Sequence, residues 1–139
     1  MTQTKEILET NPAVTRVQQV ILLVDDDEDE HVIFHSALKN IKEDFTFISA
    51  VSCEHALKIL SSVVPDLVFL DVNMPRMNGI KCLEEIRKIK KLTEVPVYMY
   101  STGINAKDGQ KAILLGAEDY IIKPNSINAL SAILKEILS

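Results

Sequence analysis

Apolar positions follow one another along the chain in a repeated order, a short continuous run and then a stripe at helical spacing. Five runs have the length and composition of β-strands. They are VILLV at 20–24, FTFISAV at 45–51, LVFLD at 67–71, VYMYS at 97–101 and DYIIK at 119–123. The stripes that follow them lie within 32–41, 56–60, 80–89, 112–115 and 127–138, where apolar residues recur every three or four positions. The pattern predicts five strand–helix units.

Residues with specific end preferences mark the borders of these units. Ser52 and Ser126 stand where a helix would begin, and a serine hydroxyl there can cap the first free backbone N–H groups. Pro65 and Pro96 end one element before the next strand, and Gly116 stands where a helix would end. The predicted units are therefore short and closely connected.

The order of the elements predicts the architecture. Strands that are apolar on both faces and alternate with helices indicate a parallel sheet between two helix layers, a doubly wound three-layer α/β/α sandwich. Right-handed crossovers then bring every strand-to-helix loop to one edge of the sheet. We assign this domain to residues 20–139 and expect 1–19, which lack a lasting period, to form a flexible N-terminal extension.

Composition and charge exclude several function classes. The chain is 47% hydrophobic and 25% charged, and its net charge of -5 is unsuited to neutralising nucleic-acid phosphates. It has neither a signal-peptide layout at its start nor an apolar run long enough for a membrane span. Cys53 and Cys82 are expected to be free core thiols in a reducing compartment. These features predict a cytoplasmic protein that contacts neither nucleic acid nor membrane.

Charged and hydroxyl side chains follow three of the predicted strands and the fifth adds an amine. They are Asp25, Asp26 and Asp27 after the first strand, Asp71 after the third, Ser101 and Thr102 after the fourth, and Lys123 after the fifth. Converging carboxylates repel unless a cation neutralises them, and hard oxygen ligands suit Mg²⁺. A carboxylate, a metal, an amine and a hydroxyl together favour phosphoryl transfer, with Asp71 as the nucleophile.

Four fragments resemble the receiver domain of two-component response regulators, the CheY-like family. They are VDD at 24–26, LDVNMPRMNG at 70–79, Ser101 after VPVYMY, and GAEDYIIKP at 116–124. The resemblance runs in order from about residue 20 to the last residue. It implies the flavodoxin-like (βα)5 fold with strand order 2-1-3-4-5.

The resemblance also implies what the site residues do. Asp71 would accept a phosphoryl group from a phosphohistidine on a sensor histidine kinase or a histidine phosphotransfer protein. Asp26, Asp71 and the backbone carbonyl of Asn73 would hold Mg²⁺ or Mn²⁺, and Asp25 would act through water. Lys123 would be the family's lysine, with a cis bond to Pro124.

A switch is implied as well. Ser101 would be the switch hydroxyl and Tyr120 the aromatic residue that follows it, and the fourth helix, fifth strand and fifth helix would form the face that changes. No output domain follows the last helix, so we expect a downstream protein to bind that face, or a homodimer to form through it. The protein would then be a signal carrier that assists its own phosphorylation and slow dephosphorylation, not a turnover enzyme.

Alternatives remain open at several positions. Thr102 could take the place of Ser101, and Asp27 that of Asp26, after a one-residue shift. Thr102 could also restrict access to the site, which leaves open an interaction or dimerisation module that works without phosphorylation. A phosphohydrolase is disfavoured because Asn73 stands where a second aspartate would be needed. His31 and His35 lie four residues apart, but without a third ligand we expect ordinary helix histidines.

Overall fold

The computed structural model describes residues 18–139, and the five predicted strands and five predicted helices are present there. The strands are β1 (Gln19–Val24), β2 (Phe45–Ala50), β3 (Leu67–Leu70), β4 (Val97–Ser101) and β5 (Asp119–Ile122). The helices are α1 (Glu28–Lys39), α2 (Cys53–Leu60), α3 (Gly79–Arg87), α4 (Ala106–Leu114) and α5 (Ile127–Leu138), with a 3-10 helix at Lys90–Leu92. The flexible extension was predicted over residues 1–19, and its positions 1–17 lie outside the described residues.

The strands form one parallel sheet in the order β2-β1-β3-β4-β5. This confirms the predicted fold class and strand order. Val24, the last residue of β1, pairs with Ala50 of β2 and Leu70 of β3. The three strands therefore end level with one another, and the residues that follow β1 and β3 lie side by side at this edge.

Two helix layers cover the sheet, as expected for strands that are apolar on both faces. Ile21 and Leu23 of β1 face α1 and α5, whereas Leu22 and Val24 face α2, α3 and α4. All four of these side chains are fully buried. The edge strand β5 is mostly exposed, so its apolar run does not mark a strand covered on both faces.

The predicted helix boundaries are confirmed in detail. The Ser52 hydroxyl accepts a hydrogen bond from the backbone N–H of His55 at 3.0 Å, and the Ser126 hydroxyl accepts one from Ala129 at 3.0 Å. Gly116 has a φ of 99°, a left-handed conformation that favours glycine, and it lies just after α4. Local residue chemistry therefore sets these ends.

The two cysteines form a disulfide bond, so the prediction of free thiols is wrong. Cys53 begins α2 and Cys82 lies in α3, with their Cα atoms 5.6 Å apart. Both residues are buried, as the sequence predicted. The α2 and α3 helices pack on the same face of the sheet, which brings together two positions that are 29 residues apart. Cysteine usage therefore no longer supports the predicted reducing compartment.

The predicted cis bond between Lys123 and Pro124 is also wrong. No peptide bond within residues 18–139 is cis. The energy difference between the two forms of a bond before proline is small, so the residues around it decide the form and the dipeptide itself does not.

Within residues 18–139, no helix is both long and apolar enough to cross a membrane.

Candidate functional site

Three carboxylates meet at the edge where β1 and β3 end. Asp25, Asp26 and Asp71 each offer a carboxylate oxygen, and these oxygens all lie within 4.8 Å of one another. Asp25 and Asp71 are buried, whereas Asp26 is exposed. Asp27 stays apart from this group because its side chain caps α1, accepting a hydrogen bond from the N–H of Asp29 at 3.0 Å. The site thus has three clustered oxygen donors that could hold a divalent cation.

Lys123 brings a positive charge into this acidic group. Its Nζ lies 2.8 Å from Oδ2 of Asp25 and 3.9 Å from Oδ1 of Asp71. The backbone N–H of Lys123 donates to the carbonyl of Ser101 at 2.7 Å, which fixes the start of the β5–α5 loop beside β4. One ammonium cannot neutralise three carboxylates, so the site retains excess negative charge.

The negative charge of the site contributes to a raised pKa of Asp71. Burial first, and then the charge of Asp25, raise the pKa of Asp71 from 3.8 to about 6, against the opposing effects of Lys123 and the Asn73 N–H. A bound cation would oppose this increase because its positive charge favours the ionised form of Asp71. The donor set of carboxylate oxygens therefore fits Mg²⁺ or Mn²⁺ in chemistry and in charge.

The raised pKa predicts a pH-dependent stability for the metal-free protein. Between about pH 4 and 6 the unfolded chain gives up the Asp71 proton before the folded chain does, so stability falls as pH rises through this window. Asp71→Asn removes the charge, and we expect it to raise the free energy of unfolding by about 2 kcal/mol at pH 7 and to leave it unchanged at pH 4.

Urea unfolding in a chelator at both pH values measures this difference. Asp27→Asn is the matched control, since it removes the charge of an aspartate near the site that is exposed and not buried, and asparagine caps a helix equally well. A wild type at least as stable as Asp71→Asn at pH 7 would show that the buried charge carries no such cost.

Ser101 is the hydroxyl residue that is connected to the three carboxylates of the site. Its side chain is buried at the end of β4, whereas that of Thr102 is exposed. The Ser101 Oγ donates to the carbonyl of Gly103 at 3.2 Å and accepts from the Asn73 side-chain amide at 3.1 Å. Asn73 also donates its backbone N–H to Oδ1 of Asp71 at 3.3 Å. The structure therefore links Ser101, and not Thr102, to Asp71 through Asn73.

Tyr120 lies in β5, with its ring beside α4. It is 44% exposed, and a Cβ atom added at Gly109 of α4 would lie 3.3 Å from its ring. Gly109 therefore leaves room for the ring against the helix. With Ile113 and Leu114, these residues line a shallow apolar groove of about 490 Å³ between α4 and β5.

The turn between β3 and α3 depends on Gly79. A Cβ atom at this position would overlap the carbonyl oxygen of Asp71 and lie 2.8 Å from Cα of Val72. The Gly79 N–H donates to the Val72 carbonyl at 2.8 Å, and the Asn78 side chain caps α3. Because Gly79 has no Cβ atom, the turn can pass directly beside the backbone of Asp71.

Two features near the site were missed from the sequence. His31 is buried, and its Nε2 lies 2.7 Å from the carbonyl oxygen of Asp25, while its Nδ1 has no hydrogen-bond partner among the described residues. Tyr100 lies under Lys123, with the Nζ atom 5.3 Å from its ring centroid. A helical histidine and a tyrosine in an apolar strand carry no signal of such contacts. The packing of α1 against the sheet produces the first contact, and the β5–α5 loop beside β4 produces the second.

Comparison with known proteins gives consistent matches over this whole region. The family model described as "Response regulator receiver domain" matches residues 21–135. The chain is 37% identical over 110 residues to "Regulator of RpoS" of Escherichia coli strain K12, covering 78% of this chain and 31% of that protein. It spans less than half of three further curated relatives, from 46% to 48% of their lengths.

Two solved structures are similar as well. The phosphorylated cyanobacterial phytochrome response regulator RcpA superposes with a TM-score of 0.79 at 28% identity, covering 87% of this chain and 91% of that chain. The Mn²⁺-bound form of response regulator Rcp1 superposes with a TM-score of 0.74 at 26% identity, covering 86% of this chain and 91% of that chain.

Proposed function

The chain belongs to the response regulator receiver domain family of two-component signalling, and we propose that Asp71 accepts a phosphoryl group from a phosphohistidine. The donor would be a sensor histidine kinase or a histidine phosphotransfer protein. We assign residues 20–139 to the receiver domain and place it in the cytoplasm, where kinases that use ATP operate.

The state of the two buried carboxylates supports Asp71 as the acceptor. Both oxygens of Asp25 are engaged, Oδ2 by Lys123 and Oδ1 by the N–H of Asp27 at 3.0 Å. The contacts of Asp71 within the described part of the chain fall on Oδ1 alone. Oδ2 of Asp71 is therefore the oxygen with electron pairs available for attack.

The proposed step exchanges one bond at phosphorus. The carboxylate oxygen of Asp71 forms the P–O bond as the P–N bond to the donor imidazole breaks, and the imidazole leaves with the electron pair and takes up a proton. Lys123 holds positive charge 3.9 Å from Oδ1, the other oxygen of the same carboxylate, close to where negative charge from the phosphoryl group gathers. These are positioning and charge effects, in keeping with a protein that assists its own phosphorylation and is not a turnover enzyme.

A divalent cation would be held by Asp26, Asp71 and the Asn73 carbonyl, with Asp25 acting through water. When bound, Mg²⁺ or Mn²⁺ supplies positive charge that offsets the repulsion between the carboxylates and the incoming phosphoryl oxygens. The grouping of Asp25, Asp26 and Asp71 supports this assignment, and so does the Mn²⁺-bound relative.

Phosphorylation would then change an outer face of the domain. The phosphoryl group brings a charge of about -2, which attracts the Ser101 hydroxyl away from the Gly103 carbonyl. Tyr120 would follow into the space beside β4, and the face formed by α4, β5 and α5 would repack. A downstream protein would bind that face in its new form, or a second copy of the chain would do so as a homodimer.

Transfer from a labelled phosphohistidine donor tests this function. A histidine phosphotransfer domain carrying ³²P should pass its label to the wild type in Mg²⁺ and not to Asp71→Asn, while Asp27→Asn should accept it normally. If Asp71→Asn still takes up label, Asp71 is not the acceptor. If neither protein is labelled by any such donor and both capture the same partners, the module that works without phosphorylation is the correct alternative.

A further inference from the structure

Tyr100 is the residue directly before Ser101 on β4, and its side chain is fully buried on the face covered by α1 and α5. The Phe34 ring packs against it edge to face, with centroids 5.4 Å apart and planes at 81°. Its hydroxyl donates to Oε1 of Glu30 at 3.4 Å. Phe34 and Glu30 both belong to α1, so this helix holds the tyrosine ring at two points.

The ring of Tyr100 also meets the lysine of the site. The Lys123 Nζ lies 5.3 Å from the ring centroid, while the same atom contacts carboxylate oxygens of Asp25 and Asp71. A buried ammonium over a tyrosine face gains attraction from the ring electrons, and more so where water is excluded. Lys123 is therefore held between two carboxylates and one aromatic face.

Glu30 adds a third negative charge, after those of Asp25 and Asp71, beside the hydroxyl of the ring. Burial works to lower the pKa of Lys123, but the hydrogen bond and charge of Asp25, followed by the charges of Asp71 and Glu30, outweigh it and raise that pKa. Burial and the charge of Glu30 also raise the pKa of Tyr100, so its hydroxyl keeps its proton and donates. Glu30 thus acts on the lysine by its charge and on the ring by its hydrogen bond.

We propose that Tyr100, held by Glu30, is a positioning residue that keeps the Lys123 ammonium between Asp25 and Asp71. An aromatic face attracts a cation without fixing the direction of its N–H bonds. The ammonium can therefore exchange Asp25 for an oxygen beside Asp71 without leaving the ring. A carboxylate in place of the ring would oppose this exchange, because it would hold the ammonium by a directed hydrogen bond. The effect on phosphoryl transfer rests on the proposed function of Asp71, whereas the lysine's position does not.

Four substitutions separate the ring from its hydroxyl and from general packing. Tyr100→Leu removes the ring, Tyr100→Phe keeps it without the hydroxyl, and Glu30→Gln removes the charge. Tyr98→Leu is the matched control, because Tyr98 lies two residues earlier on β4 and stacks on Phe69 at 5.5 Å on the same side of the sheet. If Tyr100→Leu does not fold by circular dichroism, Tyr100→Met replaces it.

The first measurement is the NMR shift of the Lys123 Hε protons in the unphosphorylated protein. Protons over a ring face are shifted upfield, so the wild type and Tyr100→Phe should show this shift and Tyr100→Leu should lose it. The second is the initial rate of phosphorylation by acetyl phosphate in Mg²⁺. We expect Tyr100→Leu to be about tenfold slower and Glu30→Gln about threefold slower, with Tyr100→Phe within about twofold of the wild type.

Two results would overturn the proposal. One is Hε shifts that are the same in the wild type and Tyr100→Leu, and the other is a rate for Tyr100→Leu equal to that of Tyr98→Leu. A wild type that acetyl phosphate and phosphohistidine donors both fail to phosphorylate would instead refute the function of Asp71. The Hε shift would then still decide whether Tyr100 positions the lysine.

Discussion

Lys123→Met is expected to slow phosphorylation of Asp71 by acetyl phosphate by about 100-fold to 1000-fold. Within the described part of the chain, Lys123 is the cation that contacts the carboxylate group, at 2.8 Å from Asp25 and 3.9 Å from Asp71. Without it, the negative charge of the transferring group meets only other carboxylates and whatever metal is bound. The transfer rate should therefore fall, and the free energy of unfolding should fall as well because the buried Asp25 carboxylate loses its partner.

The initial rate of phosphorylation, followed by intact mass, measures this effect. Lys135→Met is the matched control, since Lys135 is exposed on α5 and its loss changes the net charge equally. Lys123→Arg keeps the charge with a different shape and should lose less than Lys123→Met. A folded Lys123→Met protein with a rate within about threefold of the wild type would mean that the lysine does not stabilise the transfer.

Reduction of the disulfide is expected to lower the free energy of unfolding by about 3–4 kcal/mol. Cys53 and Cys82 close a loop with a sequence separation of 29, and this constraint restricts the unfolded chain more than the folded one. The midpoint of thermal unfolding should fall by roughly 10 °C in consequence.

Unfolding in urea with and without dithiothreitol measures this difference. In the double variant Cys53→Ala with Cys82→Ala, the reductant should have no effect, and this variant should match the reduced wild type to within about 1 kcal/mol. Thiol titration of the denatured, unreduced wild type should find no free cysteine. Two free thiols, or a midpoint that does not change on reduction, would contradict the bond.

Local patterns predicted the strands and helices well, whereas the order of the strands came from the family resemblance. Each apolar run became a strand, and Ser52, Ser126 and Gly116 mark helix ends where their backbone chemistry requires them. The edge position of β5 could not be predicted from its own run. Its residues are apolar but mostly exposed, and exposure depends on which strand lies at the edge of the sheet.

The candidate site was predicted as a set of strand ends, and the structure brings these residues together. Topology suffices for that, because parallel strands end at one edge. The remaining features depend on contacts between distant elements: the pairing of Cys53 with Cys82, the trans bond before Pro124, and the ring of Tyr100 under Lys123. Residue spacing contains no information about which side chains of distant elements will meet. The roles of the site residues stay predictions.

The mass of the protein after incubation with Mg²⁺ and acetyl phosphate tests the central claim most directly. The wild type should gain a single phosphoryl group that is lost in alkali, and borohydride reduction should convert the residue at position 71 to homoserine in the corresponding peptide. Asp71→Asn should gain nothing. A wild type that stays unmodified, or a phosphoryl group located at any other residue, would contradict the account.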